Sequence, residues 1–509
     1  MTLFKLCLAA AILGFAPLSG NATPDQGLVR RTDSGQVAGK SIEGVREFLG
    51  IPYAQAPVGP LRWREPQPMK SWSGTRSART FGANCMQQMD GPRLPWTEEF
   101  MAHGAVSEDC LFLNVWTTAA PGDAQPVIVF IHGGSFLEGS GSVPVYDGSN
   151  LARRGVVFVT INYRLGPLGF LAHPELSRES PDGVSGNYGL LDQIAALRWV
   201  QRNIEQFGGD PKAVTIAGQS AGAMSVAALI GSPEGEGLFA RAIVESGPGL
   251  IPTSLYIRAP EAAERDGERF AAALGAPHVR ELRAVAADKL ARWGPPGAPF
   301  VPRAFVADPK LVTASVQVHG VALMVGLVAG DPAVFFYPRP SNDLKGYRQF
   351  ALSTFGERAE QFLRAYPAAG DEGVPAAFQT YITDRARANV EEWATQQSQK
   401  LAPIFTYYFD RAIPWPQHPE FGAFHTSEVP YAFGTLDRLP RPWDSDDHTL
   451  SDRMIQYWGN FARQGDPNGP SLPHWSPFTP GARVTLHLGS QVGDMNVVRP
   501  AAMGLLAAP

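Results

Sequence analysis

Within this 509-residue chain, Gly218-Gln219-Ser220-Ala221-Gly222 is the stretch whose residue types and spacing most directly imply chemistry. It fits G-x-S-x-G, in which a strained strand-to-helix turn lifts a serine Oγ clear of a sheet and small flanking residues let the backbone bend sharply. A helix starting at such a serine also aims its first N–H groups at developing negative charge. The chemistry would be nucleophilic attack by Ser220. A pattern with three fixed positions also arises by chance as a plain glycine turn, so its context matters. Val214-Thr215-Ile216 precedes it and Ala223-Met224-Ser225-Val226-Ala227 follows, the strand and helix the motif demands. Upstream, His132-Gly133-Gly134-Ser135 follows another apolar run. Its paired glycines either serve a turn or leave N–H groups unshielded, as stabilisation of an oxyanion requires.

Elements able to position these residues are legible around them. Residues 127–131 and 156–161 are short apolar runs, the second rich in β-branched side chains, bounded by Pro126 and His132 and by Gly155 and Asn162. Both read as strands buried on two faces, as inside a parallel sheet. Leu191, Ile194, Ala195, Leu197, Val200 and Ile204 recur at helical spacing until Gly208-Gly209-Asp210-Pro211 ends the helix. Strand, helix, strand, tight turn and helix is the grammar of a mostly parallel α/β sheet. Residues 250–325 read as cap or lid material inserted between core strands, with a helical patch at 261–274 and breaks at Gly294-Pro295-Pro296-Gly297, Pro299 and Pro302. Residues 440–450 are polar and acidic and read as a surface loop. With no repeat and no linker, residues 23–509 read as one domain.

Composition excludes several classes. With 44% hydrophobic, 18% charged and 10% aromatic residues, the chain is neither disordered, collagenous nor a coiled coil. A net charge of −5 and the lack of any basic run argue against a nucleic-acid partner. Residues 1–22 read as a signal peptide cleaved before Thr23: a head ending in Lys5, an apolar stretch at 6–18, then Gly20-Asn21-Ala22. The apolar stretch is shorter than the roughly 20 residues a membrane span needs. No second long apolar run follows, so a soluble, exported mature protein, periplasmic or secreted, is expected. Removing Cys7 leaves Cys85 and Cys110, an even pair suited to an oxidising compartment, either bridged or as two separate buried thiols. Closing their loop of about 26 residues would contribute roughly 3.5 kcal/mol. Neither cysteine has a Cys or His neighbour at metal-ligand spacing, so no metal site is expected.

Several longer segments carry a family resemblance. They are Phe48-Leu49-Gly50-Ile51-Pro52-Tyr53-Ala54, Ser107-Glu108-Asp109-Cys110-Leu111-Phe112-Leu113-Asn114-Val115, Asn162-Tyr163-Arg164, Gly186-Asn187-Tyr188-Gly189-Leu190-Leu191-Asp192-Gln193, and Phe207-Gly208-Gly209-Asp210-Pro211 leading into the serine turn. Over nearly all of residues 27–490 the chain resembles the type-B carboxylesterases, the cholinesterase-like branch of the α/β-hydrolase fold. The resemblance implies a central, mostly parallel twisted sheet flanked by helices, with cap insertions. It places the general base at His425, in Phe424-His425-Thr426-Ser427-Glu428-Val429-Pro430-Tyr431. It makes Gly133, Gly134 and Ala221 the oxyanion-hole positions and Cys85–Cys110 the family's first disulfide loop. Arg62 with Glu108 and Arg164 with Asp192 match bracing ion pairs, and Ser225 and Glu428 match polar residues behind the triad.

The acid departs from the pattern. The family shows Asp-Glu-Gly with Glu as third triad member. Counting from Gly326 here puts Asp331 at that position, after Gly330 instead of an acid. The order Ser220, Asp331, His425 is the one the fold requires, and the shorter carboxylate needs a closer backbone approach. Asp308 and Glu428 are the alternative acids. Two further departures bear on substrate. Gln219 stands where choline esterases carry Glu, which argues against cationic leaving groups. Pro296 and Ala298 fall where bulky rings narrow the acyl pocket of acetyl-specific relatives, implying room for medium-sized or branched acyl groups. Trp96, inside the disulfide loop, either walls the gorge or merely packs. The resulting expectation is a cofactor-independent serine carboxylesterase acting on small-molecule esters. An interfacially activated lipase and a non-catalytic adhesion protein on the same scaffold are the alternatives.

Overall fold

The apolar runs marked as strands lie side by side. A computed structural model describes residues 28–89, 91–250, 256–292, 305–312, 320–331, 340–398, 403–496 and 500–506. Among these, eleven strands form the main sheet. They are β1 (Lys40–Ile42), β2 (Val45–Pro52), β3 (Phe112–Thr117), β4 (Gln125–Ile131), β5 (Val157–Ile161), β6 (Gly209–Gln219), β7 (Arg241–Glu245), β8 (Ala322–Val328), β9 (Ile404–Phe409), β10 (Val484–Leu488) and β11 (Val492–Asn496). Their order across the sheet is β1-β2-β3-β5-β4-β6-β7-β8-β9-β10-β11. From β5 through β10 every pairing is parallel, while β1–β2, β2–β3, β3–β5 and β10–β11 are antiparallel. Every residue of β5, β8 and β9 is buried, which is why the run at 156–161 reads without a polar alternation.

Helices cover both faces. On one side lie α1 (Tyr188–Asn203), α2 (Ala221–Ile230) and α4 (Val374–Ser398), with Ile194, Trp199, Val226 and Ile382 in the larger core. On the other, α5 (Ser445–Gln464) buries Met454, Tyr457, Trp458 and Phe461. Between α2 and α4 in sequence, α3 (Pro260–Ala273) confirms the helical patch read at 261–274 and buries Phe270 and Ala271 against Leu168 and Leu171. The proline-rich stretch 293–304, with Pro296 and Ala298, lies outside the described residues. Helix α4 was not legible beforehand because its buried face includes Asp384, Arg387, Glu391 and Gln397, which dilute the apolar period. The loop expected at 440–450 needs correction. Its second half begins α5, because the Asp444 carboxylate accepts the N–H groups of Asp446 and Asp447 and starts a helix there.

This topology gathers the chemistry at one edge. The chain passes from β4 to β5 on one side and then to β6 on the other side of β4, so the connections diverge beside β4. In open α/β sheets that divergence leaves a crevice at the carboxyl ends of the strands. Residues 132–134 follow β4, Ser220 follows β6, Asp331 lies three residues after β8, and His425 follows β9. All leave the sheet at that same end.

Candidate active site

Ser220 sits on the turn between β6 and α2 at φ 57°, ψ −122°. An L-residue enters that region only at a cost of about 1–3 kcal/mol, so surrounding contacts must hold it. Its N–H donates to Glu245 O at 2.9 Å, tying the turn to β7. Gly222 lets the turn settle onto β4, since a Cβ there would lie 1.9 Å from Ile131 O. Both glycines of the motif thus answer to steric demands of one bend, with Gly218 pressed against Gly222 itself.

His425 is buried, and its Nδ1 lies 2.6 Å from Asp331 Oδ1. Asp331 is completely buried, and its other oxygen accepts Val328 N–H at 2.9 Å. Of the acids considered, Asp331 is the one on the imidazole. Gly330 explains how the shorter side chain reaches. Its N–H donates to Ala423 O at 2.8 Å, and a Cβ on it would lie 2.5 Å from that oxygen and 2.7 Å from Phe424 Cα. The glycine where the family has an acid therefore permits the close approach that an aspartate requires. Phe424 packs edge-on against Phe100 at 5.6 Å. Trp96 Nε1 donates to His425 O at 3.1 Å, so the disulfide loop steadies the histidine segment from outside.

A cavity of about 560 Å³ opens over these groups, lined by Gly133, Gly134, Gln219, Ser220, His425 and Trp96 among others. Trp96 thus both walls the cavity and holds a hydrogen bond. Gly133 backs directly onto the serine, since a Cβ there would come within 3.0 Å of Ser220 Cβ. Ala221 opens α2 immediately after the serine. His132 supports the glycine loop: it stacks on Tyr163 at 4.4 Å, with Nδ1 2.8 Å from Gly133 O. Burial lowers it to about 4, so it is neutral at ordinary pH.

Behind Ser220, Asp331 and His425 lies a buried polar layer. Glu428 Oε1 is 3.5 Å from Ser246 Oγ, and Glu245 Oε1 accepts Trp458 Nε1–H at 2.8 Å. Burial raises Glu245 to about 7. Glu428 is raised well above the usual range by burial, then by the charges of Glu245 and Asp331. Ser225 is corrected here. It lies on the flank of α2 facing α1, where it accepts from Gln193 at 3.1 Å, and Ser246 occupies the place expected for it. The available signal was Glu245-Ser246, two polar residues closing the apolar run Ala242-Ile243-Val244.

The remaining pairings hold. Arg62 grips Glu108 with two bonds of 2.6 Å, and Arg164 grips Asp192 with two of 2.7 Å. Cys85 and Cys110 are bonded.

A sheet that reverses order at β4, with a serine turn at a parallel strand's carboxyl end, defines the α/β-hydrolase fold. A family model described as "Carboxylesterase family" matches residues 26–501, and the chain belongs to that family. It is 38% identical over 495 residues to the fumonisin B1 esterase of Sphingopyxis macrogoltabida, covering 93% of this chain and 88% of that protein. It is 34% identical over 488 residues to the para-nitrobenzyl esterase of Bacillus subtilis (strain 168), covering 91% and 94%. A solved PNB esterase superposes with a TM-score of 0.77 at 31% identity, covering 95% of this chain and all of that one. The protein is a carboxylic ester hydrolase.

Proposed function

We propose that this hydrolase cleaves esters with Ser220 as nucleophile, His425 as general base and Asp331 as the carboxylate that orients the imidazole. The observation that carries the reading is the 2.6 Å contact between Asp331 Oδ1 and Nδ1 of His425, which lines the same cavity as Ser220. Ser220 Oγ bonds to the acyl carbon as its proton passes to His425 Nε2, and Asp331 stabilises the imidazolium. The N–H groups of Gly133, Gly134 and Ala221 receive the oxyanion. The imidazolium then protonates the leaving alcohol, and a water activated by the same nitrogen releases the acid.

Neutral alcohols suit this site better than cationic ones, because Gln219 puts an amide beside the serine. The acyl side, expected to take medium-sized or branched acids, rests on Pro296 and Ala298 in the sequence. The Cys85–Cys110 bond supports export after loss of residues 1–22. Among the described residues no helix is long and apolar enough to cross a membrane.

The test is hydrolysis of p-nitrophenyl acetate, butyrate and octanoate, and of a choline ester, by the wild type and by Ser220→Ala, with and without an emulsion. Turnover by the wild type alone, strongest on neutral esters beyond acetate and unaffected by emulsion, is the expected result. Equal rates from both proteins overturn the serine assignment, and rates that rise sharply with emulsion favour the lipase reading.

A further inference from the structure

Gln219 is 2% exposed, with its side chain wedged between the two halves of the machinery. Its Nε2 lies 3.2 Å from His425 Nε2. Its Oε1 lies against Gly133, within 3.0 Å of where a Cβ would project. An amide nitrogen has only hydrogens to offer, so its contact with the imidazole is a hydrogen bond only while Nε2 presents its lone pair. On the far side of the ring, a carboxylate can only accept, so Asp331 at 2.6 Å calls for the ring proton on Nδ1. Two contacts from separate strands therefore select the same tautomer, with the proton on Nδ1 and the Nε2 lone pair accepting the amide. That is the form able to take a proton from a serine once the amide yields the lone pair.

We infer that Gln219 is a positioning residue that holds His425 in its proton-accepting tautomer and disfavours the imidazolium between turnovers. The inference rests on the Ser220, His425, Asp331 reading above. As Ser220 Oγ bonds to the acyl carbon, its proton moves to Nε2, and the ring then carries a donor on each nitrogen. The amide N–H of Gln219 and the new Nε2–H now oppose one another. The opposition ends when Nε2 delivers its proton to the leaving oxygen as the acyl C–O bond breaks, which restores the starting tautomer. A glutamate at this position would act in the reverse sense, accepting from the imidazolium and stabilising it.

Among the described residues, other charged or titratable groups surround the ring and the cavity. Asp331 approaches from the end of β8, and Glu428 and Glu245 lie behind it, both pushed towards their protonated forms by burial. His132 is held neutral, and the cavity wall also carries Glu98, His103 and the Glu138–Arg93 ion pair. None is altered by changing Gln219, so a change in the pH profile reports the amide.

The experiment is the pH dependence of kcat/KM for p-nitrophenyl acetate in the wild type, Gln219→Met and Gln219→Glu, with reactive serines counted by a fluorophosphonate. Methionine keeps the length and removes the donor. Its acid limb should move up by about half a unit, the effect of one neutral hydrogen bond. Well below that limb its kcat/KM should fall by up to about threefold. Glutamate should move the limb up by about one unit or more, as expected for an opposite charge at that distance. Limbs that coincide with the wild type in both variants overturn the inference, and the serine count ensures that only folded enzyme is compared. Ser220→Ala separates the layers. If it still turns over, the triad reading itself fails. If it is dead while the limbs stay put, only the role of Gln219 fails.

Discussion

Asp331→Asn offers a sharp test of the site because the structure dictates which way the new amide must face. The two aspartate oxygens have different partners: one accepts Val328 N–H at 2.9 Å, the other faces His425 Nδ1 at 2.6 Å. An asparagine has one oxygen, and the fully buried Val328 N–H requires it, since an unmet buried donor costs about 1–3 kcal/mol. The NH2 group must then face Nδ1, which obliges that nitrogen to accept and moves the ring proton to Nε2. His425 is left in the tautomer that cannot take the serine proton. The expected loss in kcat is about ten-thousandfold, equivalent to roughly 5 kcal/mol of activation free energy. The Val328 bond keeps its direction and the His425 bond survives reversed, while the new Nε2–H faces the Gln219 amide, so the melting temperature should fall only modestly. The assay is kcat on p-nitrophenyl butyrate, with circular dichroism melts to confirm folding. An Asp331→Asn protein retaining more than about a tenth of wild-type kcat would refute the reasoning.

Two further outcomes are expected. Reducing the Cys85–Cys110 bond, or replacing both cysteines with serine, should lower the unfolding free energy by about 3.5 kcal/mol, read from urea melts, and equal midpoints would contradict it. For Glu245, burial raises the folded carboxyl from 4.5 to about 7. Between those values the unfolded chain has lost the proton and the folded one keeps it, so stability falls as pH rises through that window and levels off above it. Glu245→Gln keeps an acceptor for Trp458 and cannot ionise, so its melting temperature should gain on the wild type from pH 5 to pH 8. Parallel curves would contradict this.

The serine turn was legible because its demands are local: a strand, a bend that tolerates no Cβ at Gly222, and a helix, all within a few residues. Strands β4, β5 and β6 were legible for the same reason, although β6 extends over Gly209–Gln219, well beyond the apolar run that announced it. Helix α4 was hidden because polar side chains share its buried face. Residues 440–450 were misread because an acidic run that looks solvated is also what caps a helix.

The sequence alone determined the fold class, the setting of Ser220 and, through family resemblance, the set of candidate residues. These depend on short-range backbone geometry and on the order of apolar runs. The tertiary structure decided how those residues meet. It showed that Asp331, 94 positions from His425, is the carboxylate on the imidazole, and that Gly330 lets it reach. It placed Ser246 instead of Ser225 beside Glu428, and it brought the amide of Gln219 to Nε2 across 206 positions. Contacts at such separations are set by strand register and by how closely two loops pack, and neither leaves a pattern in neighbouring residues.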